Sequence, residues 1–177
     1  MPEATMPTAR ESLLDAASAA LERESWAEVR MVRVAAGAGV SRQTLYNEFG
    51  DKAGLAEALL RRRLDAFVRA LEVRLHRASR ASRDELLELL GEWIVRAARS
   101  DRLVHATLTG CRCDGLPVPP DGAATLVGRV RDRAVEALER RGNAPIGDPG
   151  AARRCETAVR LAVSQLVAPG AAVPRRS

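Results

Sequence analysis

Aromatic residues are few in this chain: two Trp, two Phe and one Tyr in 177 residues. Threonine is scarce as well, and Leu, Ala, Val, Arg and Glu dominate. Residues that lose rotamer freedom in helices and fit pleated sheets better are therefore mostly missing. Val is common, but it sits among Ala, Leu and Arg at helical spacing, so an all-α fold is expected. No apolar run approaches the roughly 20 residues needed to span a bilayer, which excludes a membrane partner of the spanning kind. Met1 to Arg10 holds no apolar run either, so no secretory signal is read there and a cytoplasmic protein is expected. The three cysteines, Cys111, Cys113 and Cys155, are odd in number and imply no disulfide framework. Cys111 and Cys113 lie near His105 and Asp114, but a C-x-C without a second pair is not a zinc pattern. Small buried or loop thiols are the better reading, with a sensing role for Cys111 or Cys113 left open. Two histidines far apart, no glycine-rich phosphate loop and no nucleophile elbow leave no catalytic constellation. The chain is not read as an enzyme, and no cofactor is expected.

Lysine is almost absent too. Of 28 basic residues only Lys52 is lysine, a bias that reflects genome composition more than nucleic-acid binding. The formal net charge is +5, yet the first 68 residues carry nine basic and ten acidic side chains, net −1. Bulk charge does not mark a DNA-binding domain here, so any such case rests on where the charges sit.

Residues 1–8 hold two prolines and read as a flexible arm. Ala9 to Glu24 carries Leu13, Leu14, Ala17, Ala20 and Leu21 on one stripe and is helical. Met31 to Gly37 and Arg42 to Glu48 are two short helices around the turn Ala38-Gly39-Val40-Ser41. Gly39 is suited to a left-handed conformation there, and Ser41 to capping the next helix. A long helix runs from Lys52, after Asp51 as N-cap, to His76–Ser79. Further helices are expected over Ser82–Arg99, Asp101–Cys111, Ala123–Arg141 and Ala151–Val167. Loops lie between them at Cys113–Asp121 and Gly142–Gly150. Three functional segments follow: a helix-turn-helix domain over 9–50, a second helical domain over 51–168, and a flexible tail over 169–177.

Val29 to Lys52 carries the chemistry. Two short helices joined by a turn with Gly form a helix-turn-helix, whose second helix fits a major groove about 12 Å wide. Ser41 and the free N–H groups behind it can meet a phosphate. Arg42, Gln43, Thr44, Tyr46 and Asn47 form the outer face, and their donors, acceptors and methyl group suit base edges and phosphates. Leu45 and Phe49, four apart, face inward. Lys52 opens the next helix within reach of the same backbone. The expected partner is double-stranded operator DNA.

Ala38-Gly39-Val40-Ser41, Thr44-Leu45-Tyr46, Phe49 and Lys52 together resemble the signature of the TetR family of transcriptional regulators. Leu13-Leu14-Asp15-Ala16-Ala17 resembles that family's first helix, and Trp26 stands at its usual aromatic position. The match covers roughly residues 9 to 60. Ser25 replaces a frequent glycine, and Val29-Arg30 stands where the family usually has a threonine cap, so the second helix is expected to be weakly capped. The resemblance implies a ligand-binding and dimerisation domain behind the reading head, a homodimer, an unknown small-molecule effector, and most often repression.

The last helix bears Val159, Ala162, Val163 and Leu166 on one stripe and Ala158, Leu161 and Gln165 on another. So wide an apolar arc needs cover on two sides, which points to a twin subunit. The expected interface comprises Val127, Val130, Ala134, Ala158, Leu161, Ala162 and Gln165. An apolar or amphipathic effector is expected among helices from Leu59 to Ala124. Its expected lining is Phe67, Leu71, Leu90, Trp93, Ile94, His105, Leu108, Cys111 and Leu126. The rival reading is an all-helical interaction or adaptor protein whose hairpin only resembles a DNA reader.

Overall fold

The computed structural model describes residues 7–78, 80–111, 118–119 and 121–168. These residues form an all-α fold of eight helices: α1 (Ala9–Leu21), α2 (Met31–Gly37), α3 (Arg42–Phe49), α4 (Lys52–Arg77), α5 (Arg83–Ser100), α6 (Arg102–Thr109), α7 (Gly122–Arg140) and α8 (Pro149–Val167). Among them, no helix is long and apolar enough to cross a membrane.

The described residues divide into two compact units, 7–63 and 64–168, and the division falls inside α4. In the first unit α1, α2 and α3 pack on one another. Leu13, Ala17, Val34, Leu45, Leu55 and Leu59 are buried there, joined by Trp26 and Val29 from the α1–α2 loop. The second unit has one buried cluster, in which Leu71, Leu75, Leu86, Leu90, Ile94, Leu126, Leu138 and Val159 are almost wholly closed to solvent.

Caps set the helix ends. Thr8 is not part of a free arm. It caps α1 in a reciprocal box, accepting from Glu11 N at 3.2 Å while its own N–H donates to Glu11 Oε2 at 2.8 Å. That satisfies orphan donors at both positions. Ser82 and Glu85 repeat the device at α5. α1 stops at Leu21 rather than Glu24, because the chain turns there and Ser25 and Glu28 close a separate hydrogen-bonded turn. α8 starts two residues earlier than Ala151: Asp148 caps it and Pro149 occupies the first helical turn, where a missing N–H costs nothing. The Asp148 carboxyl is held below its ordinary pKa, chiefly by the Gly150 N–H. The expected tail over 169–177, most of the expected arm, and most of the Cys113–Asp121 loop lie outside the described residues, Cys113 and Asp114 included.

Candidate nucleic-acid interface

α2 and α3 are joined by a turn that only glycine enters freely, since Gly39 has φ +69°. Arg30, at the N-cap position of α2, supplies no side-chain cap. α3 is capped well: Ser41 Oγ accepts from Thr44 N at 3.0 Å and lies 2.9 Å from Thr44 Oγ1. The cap holds Thr44 half-buried over the first turn.

The inner side of α3 is fixed by Leu45, closed to solvent, and Phe49. Arg10, at the start of α1, lies over the Phe49 ring at 4.5 Å and donates to the Glu48 carbonyl at 3.0 Å. It thereby supplies a cation and a partner to the carbonyl end of α3, where a helix favours positive charge. Gly54 completes the support. A methyl group there would overlap the Phe49 carbonyl oxygen, so only glycine allows α4 to start this close to the end of α3. Neither residue had been singled out in the sequence. Arg10 is 38 positions from its partner, so no local pattern could reveal it, and the closeness at Gly54 exists only once α3 and α4 are placed.

The outer side of α3 is polar and open. Arg42, Gln43, Tyr46 and Asn47 are exposed. Gln43 Nε2 donates to Asn47 Oδ1 at 2.8 Å along the same face. Arg42, like Arg23 and Arg30, forms no ion pair among the described residues, whereas several other arginines of this unit are engaged. Arg33 pairs with Glu24, Arg62 with Asp15 at 2.8 Å, and Arg63 meets Ser18. Arg62 and Arg63 therefore tie α4 to α1, and Arg61 pairs with Glu57 on its own helix. Lys52 is half-buried beside the α1–α2 loop. Its ammonium donates to the Ala27 carbonyl at 3.0 Å and stands 5.6 Å from the Trp26 ring centroid. An ammonium has three donors, so two remain for an anion.

The residues expected to line a ligand pocket are placed differently from one another. Phe67, Leu71, Leu90, Ile94, Leu108 and Leu126 are packed into the core of the second unit. Trp93 is half-buried against Phe67, with ring centroids 4.8 Å apart. His105 is half-buried and Cys111 is exposed. Cys155 is the buried thiol, and burial pushes its pKa up to about 11, which disfavours thiolate chemistry. Among the described residues no cluster of His, Cys, Asp and Glu could hold a metal ion.

The residues expected at a dimer interface differ in exposure. Val127, Val130 and Ala134 of α7, and Ala162 of α8, are buried by their own chain, and Ala162 also lines the groove on that side of α8. Ala158, Leu161 and Gln165 do reach the surface, Leu161 being 59% exposed. With Leu87 and Gly91 of α5 they line a groove of about 620 Å³, rimmed by Glu88, Glu92 and Arg153. The pairing of α7 with α8 was implied by the TetR resemblance; in this chain Val127, Val130 and Ala134 of α7 face the subunit's own core.

The family model of bacterial regulatory proteins, tetR family, matches residues 13–59, the segment that holds this helix-turn-helix. The HTH-type transcriptional regulator AlkX of Mycobacterium tuberculosis is 31% identical over 137 residues, 77% of this chain. Residues 13–59 are the N-terminal domain of the TetR family. The chain spans 64% of the length of that Mycobacterium tuberculosis relative. The crystal structure of the TetR family repressor AlkX from Dietzia sp., implicated in biodegradation of n-alkanes, superposes with a TM-score of 0.56 at 24% identity. That match covers 92% of this chain and 85% of the other. A TetR-family regulator from Streptomyces coelicolor superposes with a TM-score of 0.59 at 23% identity, covering 96% and 75%. These likenesses place the whole described fold, and not only its first third, within the TetR architecture.

Proposed function

We propose that this TetR-family chain is a DNA-binding transcriptional regulator, not an enzyme, and that it acts as a repressor. The observation that carries the reading is α3 itself: a capped helix held from behind by Leu45 and Phe49, with Arg42, Gln43, Tyr46 and Asn47 open on its front. Such a helix enters a major groove with its N-terminal residues toward the base edges. Gln43, Thr44 and Asn47 read bases. Ser41, Arg42, Tyr46 and Lys52 hold phosphates, which fix register without carrying sequence information.

Two subunits bind a palindromic operator, each placing one α3 in a major groove roughly one DNA turn from the other. The subunits pair through the exposed apolar part of α8 around Leu161. Glu88 and Glu92 on one wall of the adjoining groove and Arg153 on the other are opposite in sign, so a two-fold axis would bring acids of one copy against bases of its twin. A small apolar or amphipathic effector enters the second unit by parting side chains such as Phe67 and Trp93. α4 carries residues of both units, so an effector can act on α3 only by favouring one placement of α4 over another.

The test is a footprint of the protein on the promoter beside its own gene, followed by titration of that duplex. A protected palindrome bound more tightly than a scrambled duplex is expected. Equal affinity for both would leave the adaptor reading in its place.

A further inference from the structure

We infer that Gln43 reads adenine rather than guanine, because Asn47 takes from it the second hydrogen-bond donor that guanine requires. The inference rests on the DNA-reading role proposed for α3 and adds the base that the helix selects.

A glutamine amide carries one acceptor oxygen and two N–H donors. Gln43 Nε2 spends one of these on Asn47 Oδ1, at 2.8 Å, four residues on and on the same exposed face. What Gln43 still offers outward is one oxygen and one N–H. In the major groove adenine presents a donor at N6 beside an acceptor at N7, the complement of that pair. Guanine presents two acceptors, O6 and N7. One of them would face the remaining N–H, and the other would be set against Gln43 Oε1, acceptor against acceptor. Cytosine offers only its N4 donor and thymine only its O4 acceptor and methyl, so each leaves half of the amide unmatched. The bond to Asn47 also holds the Gln43 side chain before DNA arrives, which reduces the rotamer entropy lost on binding. A Gln–Asn pair of this spacing can also simply support a helix. The two roles separate, because a purely supporting bond leaves the base choice at the Gln43 position untouched when it is removed.

The experiment is selection from a randomised duplex library by wild type, Gln43→Ala, Asn47→Ala and Asn47→Asp. Wild type is expected to enrich adenine over guanine about tenfold or more at one position of each half-site. Gln43→Ala should lose preference at that position alone. Asn47→Ala frees the second donor, so guanine should rise at that same position. Asn47→Asp keeps the acceptor and should retain adenine, with weaker binding. In the selected duplex, 7-deazaadenine at that position should weaken wild type and leave Gln43→Ala unaffected. Half-sites without adenine enrichment, or an Asn47→Ala variant that keeps the adenine-to-guanine ratio, would overturn the inference while leaving α3 a DNA reader. Failure of wild type to enrich any duplex would refute the DNA-reading role and the inference with it.

Discussion

α3 and α8 each present an exposed face, and the two faces are built from opposite materials. The face of α3 is Arg42, Gln43, Tyr46 and Asn47, polar groups that water already satisfies. The face of α8 centres on Leu161, 59% exposed, beside partly buried Ala158. A polar face declares its chemistry through the number and direction of its donors and acceptors. An apolar face declares only that it gains by being covered. This is why the α3 face can be argued down to single hydrogen bonds, and the α8 face only to a surface and its flanking charges.

The sharpest way to break the contrast is to remove what holds α3 from behind. Leu45→Ala, at a fully buried site, should cost about 2–5 kcal/mol in chemical denaturation and abolish operator binding. The same change at Leu90, buried in the second unit, should cost as much while sparing duplex binding wherever the fold survives. Equal loss of DNA binding from both, at matched folded fraction, would show that the two units are not separate in function. Next in size is Leu161→Glu. It should weaken self-association at least about tenfold in analytical ultracentrifugation, as expected for a charge placed in a desolvated contact, with little change in subunit stability. A wild-type chain sedimenting as a monomer at micromolar concentration would remove the α8 pairing altogether.

Smaller effects test the caps. Ser41→Ala should cost about 1 kcal/mol of stability by leaving an N–H of α3 unpaired, and Ser41→Asn should restore most of it. The pH dependence should be smaller still. Glu11 and Glu85 are held below the ordinary glutamate value of 4.5, chiefly by the backbone N–H groups of Thr8 and Ser82. Their charged forms therefore favour the folded state. Their contribution is complete above that value and is lost as pH falls through the lower folded values. Glu85→Gln should flatten the acid side of a thermal-melt series, and an unchanged profile would show that the Ser82 box carries no linked proton.

Legibility in the sequence followed the same divide. The turn at Gly39, the Ser41 cap and the inward Leu45 and Phe49 were readable because each depends on residues a few positions apart. The Thr8–Glu11 box and the Asp148-Pro149 start are equally local, and their signals, T-x-x-E and an Asp before Pro, stand in the sequence. Arg10 on Phe49 and Lys52 on the Ala27 carbonyl depend on elements brought together only by folding; Gly54 is only five positions from Phe49, but its need for glycine shows only in the angle between α3 and α4. The α7 residues expected at an interface are a different case: Val127, Val130 and Ala134 make a clean apolar stripe buried by their own chain, and a stripe does not say whether its cover comes from the same chain or another.

The central claim is that α3 and its flanks bind duplex DNA through phosphates and bases together. It is tested most directly by the affinity for the footprinted duplex as a function of salt, for wild type and Lys52→Ala. Log affinity should fall linearly with log salt in wild type, and Lys52→Ala should lower the slope by about one unit while weakening specific and scrambled duplexes alike. A wild-type affinity indifferent to salt would contradict the account.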